Sequence, residues 1–322
     1  MKQKSFSSLA YEHKKKKTKR ERFLEEMDAV IPWQEFVQVI EPYYPKPEGA
    51  GRRPIGLEVK LRIYFMQQWY SLSDPAMEDA LYDIESMRRF AGLELDTDAM
   101  PDETTICKFR HLLEFHELNK SLFDASTDHL KEHGLFVNHG TIVDASIINA
   151  PSSTKNKQRR RDPEMRQTKK GNQWYFGMKV HIGADADSRL VHSAEFSAAN
   201  VHDSRMFDQL LLGDEQAIYA DKAYDNATKA TYYQSHGIRW RVARKSKRGQ
   251  KPRPMDKIWN RHQSRTRCKV EHVFNVIKNH WGHSKVRYKG LAKNQAHLLT
   301  LLGLANLYLA RRELVRSQTQ CA

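Results

Sequence analysis

The chain has 322 residues, with 54 Lys or Arg against 39 Asp or Glu and a formal net charge of +15. With 39% hydrophobic and 10% aromatic residues it holds enough apolar material for one large or two modest cores, which excludes a disordered chain. No apolar run approaches the ~18 residues that span a membrane, and Cys107, Cys268 and Cys321 stand too far apart for a disulfide scaffold or a structural zinc site.

The N-terminus, MKQKSFSSLAYEHKKKKTKRERF, is basic and has no apolar core behind it, so it does not read as a secretory signal. A reducing, cytoplasmic setting is expected. A basic arm over 1–22 leads into a mostly helical stretch, 23–135. Pro32-Trp33 opens one helix. Residues 58–72 place Leu61, Tyr64, Phe65 and Trp69 on one helical face. Ser73-Asp74-Pro75 punctuates, and a further helix runs to a stop at Gly92. Thr104 or Thr105 is expected to cap the long helical segment after Pro101.

The pattern changes at 139. HGTIVDASIINA is β-branched and short, which suits a strand. Two more strands follow in 173–198, joined by a turn at Asp185-Ala186-Asp187-Ser188. HDSRMFDQLL reads as a helix, AIYADKAY as a fourth strand and GIRWRVAR as a fifth. Residues 262–282 read as a long amphipathic helix and 294–314 as an apolar one. The expected class is α+β with α/β character: a helical module, then a mixed-sheet domain (136–315) with flanking helices, then a short tail, 316–322.

The excess charge falls in three blocks: Lys14 to Arg22, Lys155 to Lys170, and Arg239 to Lys269. Such blocks attract polyanions, DNA foremost. Arg159, Arg160, Arg161, Lys169 and Lys170 in the second block are candidate phosphate contacts, as are Arg241, Arg244, Lys245, Lys247 and Arg248 in the third. Trp240 and Trp259 are interleaved with the third; either could stack on an unpaired base, although burial is the commoner fate of a tryptophan.

Three acids occupy awkward positions. Asp144 lies inside an apolar strand, Asp221 closes another, and Glu271 sits beside Val270, Val273 and Phe274 in the long helix. Buried carboxylates are costly unless paired or metal-bound. Singly, they read equally well as a turn residue, a helix cap and a surface residue. Together, with the first strand beside the fourth and the helix across both, they could hold two Mg²⁺ ions by oxygen ligands and clamp a phosphodiester. Arg267, Glu271, Asn275 and Lys278 share one helical face. Asn200, His202 and Asp203 read either as supporting groups or as a helix start, and His181 reads as a core residue. GADADS is a hairpin turn rather than a calcium loop. No phosphate-loop or dinucleotide motif occurs, so no nucleotide cofactor is expected.

At these residues the sequence resembles a known family. IVDASII around Asp144, YADKAYDN around Asp221 and RCKVEHVFNVIK around Glu271 are similar to the three acidic motifs of DDE transposases, most closely the insertion-sequence-five group of bacterial elements. RRPIGLEVKLRIYFMQQWYSLSDPAMEDALYD, MPDETTICKFRHLLE, GMKVHIGAD and VRYKGLAKN match as well. In the family the third motif runs Y-x2-R-x3-E-x6-K. Arg267, Glu271 and Lys278 fit it, and Ser264 stands at the tyrosine position. Asp221, Ala223 and Tyr224 match the second motif.

The resemblance implies an RNase H-like domain, catalysis by Asp144, Asp221 and Glu271 on Mg²⁺ or Mn²⁺, and support from Arg267, Lys278 and Tyr224. It also implies a helical module that reads terminal inverted repeats, target DNA as second substrate, and action at the bacterial nucleoid. Two element ends imply a homodimer or larger assembly. A stand-alone RNase H-like nuclease and a non-catalytic DNA-binding regulator are the alternatives.

Overall fold

The computed structural model describes residue 11 and residues 13–46, 54–246, 249–251 and 253–321, with side chains to 317. Lys247 and Arg248 lie outside the described residues. The chain divides into two compact units. One comprises the residues up to Ser121 and those from Arg311 onward; the other runs from Leu122 to Ala310.

The first unit is helical. Its elements are α1 (Lys19–Val30), α2 (Trp33–Ile40), α3 (Leu57–Tyr70), α4 (Asp74–Asp83), α5 (Glu85–Ala91) and α6 (Glu103–Phe115), with the start of α7 (Leu118–Glu132). Thr18 and Glu21 form a reciprocal capping box on α1, so the first basic block runs directly into a helix. α3 buries more than the single face its spacing predicts: Leu61 and Ile63 to Trp69 are all inside. Asp74 accepts from Gln67 Nε2 at 2.8 Å and from both terminal nitrogens of Arg110, at 2.6 and 2.8 Å. Neither expected threonine caps α6; Asp102 does, accepting from the Thr105 amide at 2.7 Å. A carboxylate there also favours the helix dipole. The single segment expected after Pro101 is two helices, broken where Glu117 takes a positive φ of 55°.

The second unit is built on one mixed sheet: β1 (Thr141–Asn149), β2 (Arg166–Lys170), β3 (Gln173–Asp185), β4 (Val191–Ala198), β5 (Ala217–Ala220) and β6 (Arg239–Trp240). The order is β2-β3-β1-β5-β6, and β4 also pairs with β3. The β1–β3 pair is antiparallel and the β1–β5 pair parallel, so the strand of Asp144 does lie beside the strand of Asp221. β2 falls inside the second basic block, where its five mostly exposed residues carry no apolar alternation to betray it. HDSRMFDQLL is not an α-helix but two 3₁₀ turns, Asp203–Arg205 and Asp208–Leu210. The strand in GIRWRVAR shrinks to Arg239–Trp240.

The helical elements of this unit are α8 (Ala227–Ser235), α9 (Pro254–Arg267), α10 (Glu271–Asn275) and α11 (Leu291–Cys321). One apolar cluster joins Val143, Ile218 and Ala220 of the strands to Phe207, Leu210, Tyr224, Trp240 and Val242. Trp240, expected as a possible base platform, is therefore a core residue, stacked on Tyr233. From α11, buried Asn306 exchanges two hydrogen bonds with Val191, accepting from its amide at 2.8 Å and donating to its carbonyl at 2.7 Å. That satisfies a backbone pair at the start of β4.

Backbones approach closely at two glycines of GMKVHIGAD. A Cβ on Gly177 would lie 2.1 Å from the Ile148 carbonyl oxygen, and one on Gly183 2.2 Å from that of Leu210. Only glycine fits either place.

Candidate active site

Val143 pairs with Ala220, the last residue of β5. Carried one residue further, the parallel register brings Asp144 level with Asp221. Two carboxylates then stand on neighbouring strands where β5 ends and β1 continues. The Asp144 side chain is only 19% exposed. Burial pushes its carboxyl up to about 6; Arg267 and the Ala145 amide oppose that rise, and Asp221 adds to it. Asp221 accepts from the Ala223 amide and caps the 3₁₀ turn Lys222–Tyr224; the helix after Tyr224, which it was expected to cap, is capped by Asn226 instead.

The helix bearing Glu271 is irregular. α9 begins at Pro254, earlier than expected, and passes into a 3₁₀ turn at Cys268–Val270. α10 follows, and then a π turn at Val276–His280. π turns inside helices gather at functional sites. Val270, Val273 and Phe274 are buried, but the Glu271 side chain is 63% exposed. Its apolar neighbours thus reflect the inward face of the helix, not burial of the acid. Arg267 lies between the two sides of the site: Nη1 is 3.8 Å from Asp144 and Nη2 is 3.9 Å from Glu271.

Lys278 sits within the π turn. Its Nζ donates to Ser146 Oγ and to the Ile147 carbonyl, both at 2.7 Å, and so ties the helix to β1 just past Asp144. Burial and the Lys170 charge hold its pKa down at about 8, while Asp144 raises it. Tyr224 is buried, and among the described residues its hydroxyl has no hydrogen-bond partner. Its ionisation is pushed above the ordinary range, first by burial and then by Asp203, Asp144 and Asp221. Ser264, at the departed tyrosine position, is exposed on α9.

Asp203 is a fourth acid in this neighbourhood. His202 caps the 3₁₀ turn that contains it. Lys179 Nζ donates to Asp203 at 2.8 Å and to the Val201 carbonyl at 2.8 Å. His181 is fully buried, bonded to Ser197 at 2.8 Å and held down near 4 by burial, so it is a neutral core ring, as its strand position suggests. Asn200 is an exposed turn residue. The Lys179–Asp203 pair was not evident in the sequence, because its members are 24 residues apart and carry no spacing signal.

His202, Asp221, Lys222, Ala223, Arg244, Lys245, Ser246 and Asn260 line an open cleft of about 570 Å³. Arg244 and Lys245 of the third basic block therefore face the same cleft as Asp221. Arg241 and Arg244 lie over the Trp259 ring, at 5.4 and 4.7 Å, and Trp259 itself is half-buried. The second block forms an exposed loop with Arg159, Arg160 and Arg161, followed by Lys169 and Lys170 on β2. The loop is clasped at its far end: the Gly290 amide donates to Asp162 at 2.7 Å and the Leu291 amide to Glu164 at 2.6 Å. VRYKGLAKN thus seats the start of α11 against this loop.

The donor set suits a hard divalent cation. Asp144, Asp221 and Glu271 present only carboxylate oxygen, as such ions require. The Arg267 guanidinium already lies within 4.0 Å of two of these acids, as a cationic stand-in. Asp144, Asp221 and Glu271 do not bring one carboxylate oxygen apiece within 4.8 Å of the other two.

A mixed sheet carrying adjacent aspartates, faced by a helix bearing arginine and glutamate, is the arrangement of an enzyme that works on phosphodiesters. The family model described as "Transposase DDE domain" matches residues 137–307, and "Transposase domain (DUF772)" matches residues 11–112. The first covers more than half of the chain, and the chain belongs to that family: it is a DDE-type transposase of the bacterial insertion-sequence kind. Among solved structures the chain is similar to a piggyBac transposase synaptic complex with hairpin DNA, with a TM-score of 0.46 and 10% identity, over 92% of this chain and 74% of that one. Among the described residues, no helix is long and apolar enough to cross a membrane.

Proposed function

We propose that this transposase belongs to the insertion-sequence-five group, binds the terminal inverted repeats of its element, and cuts and joins DNA at a site formed by Asp144, Asp221 and Glu271. The observation that carries the reading is the β1–β5 register, which levels Asp144 with Asp221 beside the Arg267–Glu271 pair. These three acids would hold Mg²⁺ or Mn²⁺, two ions in the full site, and a divalent ion there supplies Lewis acidity at the scissile phosphate.

The chain's own residues do the rest. Asp144 and Asp221 are presented from adjoining strand positions and need little rearrangement. Arg267 neutralises Asp144 and Glu271, which lets anionic DNA approach. Lys278 anchors the helix to β1 and keeps Glu271 in range. Arg244 and Lys245, in the cleft with Asp221, take phosphates on either side of the cut, and Arg241, Lys247 and Arg248 of the same basic block contribute further phosphate contacts. Arg159 to Arg161 and Lys169-Lys170 supply a second track. Hydrolysis at the element end frees a 3′-OH, which then attacks a phosphodiester of target DNA. The helical unit over 23–135 reads the ends, and the sheet domain over 136–315 carries the chemistry. Two ends call for a homodimer or larger assembly.

The test uses purified protein, Mg²⁺ and DNA carrying the element ends. Wild type is expected to nick and join. Asp144→Asn is expected to bind the ends and do neither; normal cleavage by that variant would overturn the site. Cleavage without any joined product would favour a stand-alone nuclease.

A further inference from the structure

Of the six tryptophans in the chain, Trp69, Trp240 and Trp281 are buried and Trp33 and Trp259 are half-buried. Trp174 is 64% exposed. An indole left in water forgoes the burial that usually decides where tryptophan goes. Its setting is equally unusual. Residues 173–175 of β3 pair only with β2, while the Phe176 carbonyl also accepts from the Ala150 amide at 2.7 Å, so the end of the strand beyond Phe176 is a two-stranded ribbon extending from the sheet.

The ribbon's register places Lys169 directly opposite Trp174 and Gln167 opposite Phe176. Cross-strand partners share a face, and side chains alternate along each strand. One face of the ribbon thus carries two aromatic rings with a cation over each: Lys169 Nζ lies 5.9 Å from the Trp174 ring and Arg161 lies 5.4 Å from the Phe176 ring. The same alternation runs on to Met178, Val180 and Ile182, the partners of Ile148, Ser146 and Asp144. Trp174 therefore belongs to the sheet face that presents Asp144.

We propose that the β2–β3 ribbon is a nucleotide-binding arm, in which the Trp174 indole stacks on one unpaired base of the DNA and Lys169 takes the adjoining phosphate. The inference rests on the DNA-transposase reading above. The surroundings select the occupant. Trp174 is the one exposed large hydrophobic residue of β2, β3 and the loop joining them to β1, so these segments themselves offer no apolar patch to a protein partner. One exposed aromatic ring among cations is instead the arrangement that stacks a base and neutralises its backbone. A paired base inside a duplex has no free face, so the arm selects an unpaired nucleotide, such as one exposed beside a nick or at a strand end.

The test measures equilibrium binding of the full-length protein to two DNAs in EDTA, so that no cleavage intervenes. One is a blunt duplex carrying the element end; the other adds a short single-stranded extension containing 2-aminopurine. Wild type is expected to bind the extended DNA roughly tenfold more tightly and to quench the 2-aminopurine. Trp174→Ala is expected to keep blunt-duplex affinity and lose both preference and quenching, with Trp174→Phe intermediate. Lys169→Ala is expected to lower the salt dependence of extended-DNA binding by about one phosphate contact. Full preference and quenching in Trp174→Ala would overturn the arm. So would a change in oligomeric mass on that substitution with DNA binding unaltered, which would make the ribbon a subunit contact. Failure of wild type to bind either DNA would overturn the DNA-end reading itself, and the arm with it.

Discussion

The two sides of the acidic site are built differently. On the sheet side, the β1–β5 ladder runs up to Val143 and Ala220, the residues just before Asp144 and Asp221, and both of those are core. On the helix side, Glu271 is mostly exposed, reaches Arg267 at 3.9 Å, and sits in a run that changes from 3₁₀ to α to π within about a dozen residues. A β ladder fixes position through repeated backbone bonds. A short helical segment between irregular turns is held by fewer. The sheet side is therefore preorganised, while the helix side is held by its buried face, Val270, Val273, Phe274, Val276 and Ile277, and by Lys278 on β1.

The largest expected effect tests the sheet side directly. Asp221→Asn, like Asp144→Asn, should lower strand cleavage by on the order of 10³-fold or more, because a metal ligand supplies several kcal/mol of transition-state stabilisation. Single-turnover cleavage of an end-bearing oligonucleotide measures it, and a loss below tenfold for either variant would break the sheet-side assignment. Gly183→Ala sharpens the rigidity argument. Its methyl would meet the Leu210 carbonyl, which is backbone and cannot turn aside, so a loss of about 3 kcal/mol is expected in urea unfolding. Unchanged stability would mean that the sheet gives way more easily than its register suggests.

On the helix side, Arg267→Gln should reduce cleavage about 10- to 100-fold, the usual loss for a group that orients ligands. Restoration by Lys would show that charge alone suffices there.

A smaller effect comes from pH. The Asp144 carboxyl titrates near 6 in the fold, above its ordinary value of 3.8. The folded state therefore holds the proton more tightly than the unfolded chain, and ionisation costs stability as pH rises from about 4 to 6. In EDTA, Asp144→Asn should match wild type below pH 4 and exceed it above pH 6 by up to about 3 kcal/mol. Thermal melts across that range test this, and an Asn variant less stable at pH 7 than at pH 4, relative to wild type, would contradict it. The smallest change is expected from Ser264→Tyr. The position is exposed on α9, so the substitution should alter cleavage by no more than about twofold.

Much of the site could be read from residues. β-branched neighbours put Asp144 in a strand, the apolar run before Asp221 put that acid at a strand end, and the i,i+4 spacing put Arg267 beside Glu271. Other features carry no local signal. β2 is a polar stretch that becomes a strand only because β3 offers it an edge. The 3₁₀ and π turns around Glu271 arise where the helix packs on the sheet, and the sequence there reads as plain helix. The exposure of Trp174 depends on how far the ribbon extends beyond its neighbours.

By itself, then, the sequence determined the longer apolar elements, the types of acid and cation, and the two spacings that matter within one helix and one motif. These follow from propensity and periodicity, which act over a few residues. Only the tertiary structure decided that Asp144 stands level with Asp221, that Lys278 reaches Ser146 across 132 residues of chain, and that Lys179 pairs with Asp203 beside the site. Those contacts depend on strand order and register, which arise when the whole core is buried at once.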